Sequence, residues 1–98
     1  MINSKERAHL RKLALKISPM VQIGKDGLTQ NVLNQIDVEL ENRELVKVKV
    51  LKNSMESPRA LVDDIAKKLK AEPVASIGGV FVLYRFSTKK GVKHISLK

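Results

Sequence analysis

Apolar side chains recur along this chain at two spacings, three-to-four and two, and the switches between them divide it into seven elements. Leu10, Leu13, Ala14 and Ile17 share one side of a helix that Ser4 can cap and that runs to about Lys16. Ser18 and Pro19 close it, because the residue before a proline is pushed out of the helical region, and residues 20–23 then alternate as a short strand. After a loop at 24–27, Thr29 can cap a second helix with Val32, Leu33, Ile36 and Leu40 on its buried stripe. Residues 45–51 (LVKVKVL) are the clearest strand, with Val46, Val48 and Val50 on one face and Lys47 and Lys49 on the other. Ser57 and Pro58 supply the cap and first-turn proline of a third helix that buries Leu61, Val62, Ile65, Ala66 and Leu69.

The last third returns to strand. Residues 74–77 precede Gly78 and Gly79, a tight-hairpin signal. Residues 80–86 are apolar on both faces until Arg85, which predicts a central strand. Ile95 and Leu97 predict a short edge strand or a partly ordered tail within residues 87–98. The order α-β-α-β-α-β-β over 98 residues predicts a single α/β domain, a mixed sheet packed with helices.

Charge changes the picture from fold to partner. Nineteen basic residues against ten acidic give +9, which points to a polyanion, because neutralising phosphates releases their counterions. The charge is also sided. Residues 1–25 hold six basic and one acidic side chain, residues 26–44 one and five, and residues 73–98 five basic and none acidic. Lys5, Lys12 and Lys16 share a line on the first helix with Arg11 beside them, a stripe equally compatible with an ordinary solvated face. The acidic second helix would repel phosphates.

Candidate chemistry is sparse. Without cysteine there is neither a disulfide framework nor a thiolate metal site, which suits a reducing cytoplasm. No apolar run approaches the ~20 residues of a membrane span, and no export signal precedes Lys5, Glu6 and Arg7. His9 and His94 have no carboxylate cluster or second histidine at ligand spacing, and no serine lies in a nucleophile elbow. We therefore expect no enzyme, cofactor, metal or small-molecule substrate. Phe81, Tyr84 and Phe86 fall in one strand and are at least partly committed to packing, which argues against an aromatic stacking platform. Helices separated by strands argue against a helix-turn-helix, so RNA ranks above duplex DNA.

Gly24, Lys25, Asp26 and Gly27 are the best local candidate for a phosphate contact. Two glycines permit a tight turn with exposed N–H groups, and the N-terminus of the following helix favours an anion. Taken alone, this spacing is that of a plain strand-to-helix turn. Read together and in order, however, QIGKDGL, RELVKVKVL and SIGGVFVLYR resemble the bacterial YhbY family, the single-domain form of the CRM (chloroplast RNA splicing and ribosome maturation) domain. The resemblance implies a fold similar to the C-terminal domain of translation initiation factor three. It also implies a non-enzymatic RNA-binding role on ribosomal RNA in large-subunit precursors, with group II intron splicing in plant relatives. Its glycine loop falls on Gly24, Lys25, Asp26 and Gly27, and its terminal motif on Ile77, Gly78, Leu83, Tyr84 and Arg85. Gly79 and Asp26 depart from the family pattern, and Asp26 makes the loop less cationic. The expected contacts are therefore the loop, Lys5, Arg11, Lys12, Lys16, Lys47, Lys49 and Arg85, on a cytoplasmic monomer. The competing expectation is an interaction module whose basic face binds an acidic protein.

Overall fold

In the computed structural model, which describes residues 2–97, Asn3 and not Ser4 opens the first helix. The Asn3 side chain accepts from the Glu6 N–H at 2.8 Å, and the Glu6 carboxylate accepts from the Asn3 N–H at 2.9 Å. This reciprocal box satisfies two N–H groups that a cap at Ser4 would leave open. The helix, α1 (Ser4–Ala14), ends two residues before Lys16. There the Lys47 Nζ donates to the carbonyls of Ala14 (3.1 Å) and Ile17 (3.2 Å), which neutralises the partial negative charge of the helix end.

The remaining elements follow the hydrophobic pattern. They are β1 (Val21–Ile23), α2 (Gln30–Arg43), β2 (Leu45–Val50), α3 (Pro58–Leu69), β3 (Glu72–Ile77) and β4 (Val80–Tyr84). Thr29 and Ser57 cap α2 and α3 as their sequences predict, accepting from Val32 and Ala60 N–H groups. The sheet order is β1-β2-β4-β3, with β1 parallel to β2 and the other two pairs antiparallel. The mixed sheet and the interior place of β4 are thus as expected. Gly79 closes the β3–β4 hairpin against the end of β2, where a Cβ would stand 3.1 Å from the Val50 carbonyl oxygen.

Each face of β4 serves a different core. Phe81 and Leu83 pack with Ile23, Val46 and Val48 beneath Ile36 and Leu40 of α2 and Leu61 and Ile65 of α3. On the opposite face Val82 and Tyr84 pack with Leu45 beneath Leu10 and Ala14 of α1. Full burial of such side chains contributes about 1.5–3 kcal/mol each. Two helices therefore anchor one face, while the single short α1 covers only part of the other.

The tail forms no edge strand among the described residues; Lys98, one of the predicted tail cations, lies outside them. Its backbone N–H groups find a carboxylate where a strand would need a ladder. Glu44, fully buried with φ +66° at the end of α2, accepts from the N–H groups of Ser87 (2.7 Å) and Ile95 (2.8 Å) and from His94 Nδ1 (2.6 Å). Burial alone would raise the Glu44 pKa; these hydrogen bonds, with the His94 charge, outweigh it and hold the carboxyl below its ordinary range. Phe86, more than half exposed, stacks on His94 at 4.1 Å, and Ile95 and Leu97 pack against the α1-side core.

Candidate nucleic-acid interface

Strand register decides which polar side chains share a surface. Gln22 of β1 pairs with Lys49 of β2, Lys49 with Val80 of β4, and Val80 with Ile77 of β3. Directly paired residues point to the same side, so these four form one row across the sheet. The row lies on the α1 side, beyond the part that α1 covers. The next row, Lys47, Val82 and Ala75, runs beneath the end of α1. On that helix Lys5, Arg11 and Lys12 are exposed, as is Lys16 just beyond its end, with Lys5 and Lys12 about 10 Å apart along the axis.

The 24–27 loop adjoins this row, because β1 ends one residue beyond Gln22. The Gly27 N–H donates to the Gly24 carbonyl at 3.0 Å, forming a turn with Lys25 and Asp26 exposed at its tip. Gly27 has φ +68°, a conformation that a side chain would strain, whereas Gly24 could take a Cβ at ordinary contact from Leu51 and Asn53. Only the second glycine is thus required by the backbone. The loop that follows β2 packs alongside, since the Leu51 N–H donates to the Ile23 carbonyl at 2.8 Å. The α2 and α3 N-termini therefore emerge side by side, and neither first turn carries an acidic residue. A carboxylate oxygen of Glu56 would lie 3.8 Å from a Cβ on Gly27, so the loop has two carboxylates at hand, Asp26 and Glu56, against the one ammonium of Lys25. The loop is not a cationic centre by itself.

Two of the expected contacts have other work. The Lys47 ammonium is half-buried against the α1 carbonyls. Arg85 is the more fully engaged of the two. Its side chain is 18% exposed, and its guanidinium bonds Asp37 Oδ1 and the Leu69 carbonyl at 2.8 and 2.9 Å and the Asp37 carbonyl at 3.3 Å. It ties α2 to the end of α3, a structural use of the terminal motif. His94 also differs from expectation, since the fold brings Glu44 to it; yet among the described residues no group of three potential ligands forms a metal site.

The ion pairs of the helices lie on the α2 and α3 side, although Arg59 and Lys67 of α3 are exposed there without one among the described residues. Arg43 pairs with Glu39, Lys68 with Asp64 and Arg85 with Asp37, all on α2, α3 or the strand end beside them. Lys5, Arg11, Lys12, Lys16, Lys25 and Lys49 have no ion-pair partner among the described residues. Sequence spacing showed the helix stripe, but only the register shows that Lys49 continues it across the sheet. No helix among the described residues is long and apolar enough to cross a membrane.

The chain is similar to known proteins along nearly its whole length. The chain is 35% identical over 92 residues to an "RNA-binding protein" of Haemophilus influenzae, covering 94% of this chain and 93% of the relative. It is 37% identical over 87 residues to "Probable RNA-binding protein YqeI" of Bacillus subtilis, covering 89% and 91%. The solution structure of a hypothetical protein from Staphylococcus aureus, 41% identical, superposes with a TM-score of 0.78 over 92% of this chain and 94% of that one. The CRS1 / YhbY (CRM) domain model matches residues 2–85, and the chain belongs to that family.

Proposed function

We propose that this protein binds RNA with the α1 face of its sheet and the adjoining 24–27 loop, as a non-enzymatic cytoplasmic monomer. Its RNA is ribosomal RNA in precursors of the large subunit. The observation that carries this reading is the grouping of exposed cations: Lys5, Arg11, Lys12, Lys16 and Lys49 on the α1 face and Lys25 in the adjoining loop, none with a carboxylate partner among the described residues. Unpaired cations on one face attract a polyanion and release its counterions on binding. Lys25 and the free N–H groups behind the loop add phosphate donors beside Asp26 and Glu56, and the helix stripe with Lys49 carries the larger share. The family's named RNA-binding relatives support the class of partner. The large-subunit precursor rests on the family resemblance.

Crosslinking in cells followed by sequencing of the attached RNA tests the target. The expected reads concentrate on unprocessed large-subunit ribosomal RNA; a flat distribution over cellular RNA would contradict it. Purification with and without nuclease addresses the competing acidic protein. A partner retained after complete RNA digestion would overturn RNA as the primary ligand.

A further inference from the structure

The α1 face also holds a feature that phosphate contacts alone leave unexplained. An open groove of about 700 Å³ runs between the last turns of α1 and the β3–β4 end of the sheet. Val80 and Val82 line its floor. Leu15 and Ile77 also line it, 79% and 74% exposed. Aliphatic side chains of this size, brought to one groove and left wet, mark a surface that gains by being covered. The charged part of the lining is entirely basic, namely Arg11, Lys12 and Lys47, with no carboxylate among the lining residues.

This combination selects its occupant by charge and polarity. A purely apolar ligand would strip water from Arg11 and Lys12 without pairing them. A duplex backbone would satisfy the cations and leave Leu15 and Ile77 in water. A single-stranded RNA segment brings both components, a phosphate for the rim and a base face for the aliphatic floor. Lys47 makes the groove more hospitable to that phosphate, since its hydrogen bonds to Ala14 and Ile17 cover the carbonyl end of α1. The row Ile77, Val80, Lys49, Gln22 then leads from the groove toward the 24–27 loop.

We propose that this groove takes unstacked bases of a single-stranded RNA segment, with their faces against Leu15, Ile77 and Val80 and the flanking phosphates on Arg11 and Lys12. The inference rests on the RNA-binding reading and adds a preference to it: unpaired RNA is favoured over a blunt duplex. With aliphatic walls in place of aromatic ones, the contact is tolerant of base identity.

The test uses three fluorescein-labelled hairpins measured by anisotropy at fixed salt: one with a single-stranded overhang, one with the same overhang made abasic, and one blunt. The wild type is expected to bind the intact overhang about tenfold more tightly than the abasic one. The double variant Leu15→Ser, Ile77→Ser, charge-neutral and altered only at exposed positions, should lose that factor and match wild type on the other two hairpins. Equal wild-type affinity for intact and abasic overhangs, with binding still salt-dependent, overturns the groove and leaves the RNA-binding reading standing. Failure to bind any hairpin overturns both. The abasic comparison uses wild-type protein alone, so it decides the matter even if the double variant folds poorly. A concentration-dependent dimer, or binding of an acidic leucine-containing peptide, that the double variant abolishes while wild type ignores the bases would assign the groove to a protein and overturn the proposal.

Discussion

Removing the Glu44 carboxylate should release the tail and cost the domain about 3 kcal/mol. The residue sits at φ +66°, where glycine would be comfortable, so its side chain must repay a strain of about 1 kcal/mol. It does so by accepting from two backbone N–H groups and one imidazole. Because the tail amides return to water on release, each bond counts at its net value of about 1 kcal/mol, which gives roughly 3 kcal/mol for Glu44→Ala. Glu44→Gly recovers about 1 kcal/mol of the strain and should cost roughly 2. For a domain of this size, 3 kcal/mol corresponds to a fall in Tm of roughly 12–24 °C. Acid should mimic the substitution. The Glu44 pKa is lowered from its ordinary 4.5, so its contribution is complete above that value and fades as pH falls through the lower folded-state pKa. Urea denaturation of the three proteins, with amide exchange at Ser87 and Ile95, measures the effect. An alanine variant within about 0.5 kcal/mol of wild type, or a glycine variant less stable than alanine, would refute the reasoning.

Arg85→Met should lower stability by about 1.5–3 kcal/mol in urea, chiefly because it leaves the Leu69 and Asp37 carbonyls without their donor, yet leave the salt dependence of RNA binding unchanged. Gly27→Ala should cost about 1–2 kcal/mol through its positive φ, whereas Gly24→Ala should be near neutral by thermal melting. Asp26→Asn with Glu56→Gln removes two negative charges at the 24–27 loop, and should tighten RNA binding severalfold at low salt and less at high salt, read by anisotropy.

The elements were legible wherever local periodicity and local caps coincide. Thr29 and Ser57 announce α2 and α3, the two glycines after Ile77 announce the hairpin, and the two-sided apolar run of β4 announces its central place. The first cap lies one residue before Ser4, a common cap type; the Asn3 to Glu6 spacing holds the stronger signal. What escaped depends on contacts distant in sequence. Lys47 alternates as a solvent-facing strand residue, but α1 lies above it. Arg85 belongs to a motif that reads as ligand-binding, while its partners Asp37 and Leu69 come from two helices. The Ile95–Leu97 spacing in the tail suggests a strand, but the side-chain acceptors Glu41 and Glu44 hold its N–H groups in place of a ladder. Of the candidate site, the helix stripe and the loop were visible in sequence, whereas the row through Lys49 and the groove beside Leu15 required the register.

The salt dependence of RNA affinity tests the central claim most directly. If Lys5, Arg11, Lys12, Lys16, Lys25 and Lys49 all engage phosphates, log K should fall against log salt with a slope between about −4 and −5. Lys25→Ala and Lys49→Ala should each reduce its magnitude by about 1, with the fold unchanged by circular dichroism. A shallow slope, or a steep one that neither variant alters, would contradict an RNA-binding face built from these residues.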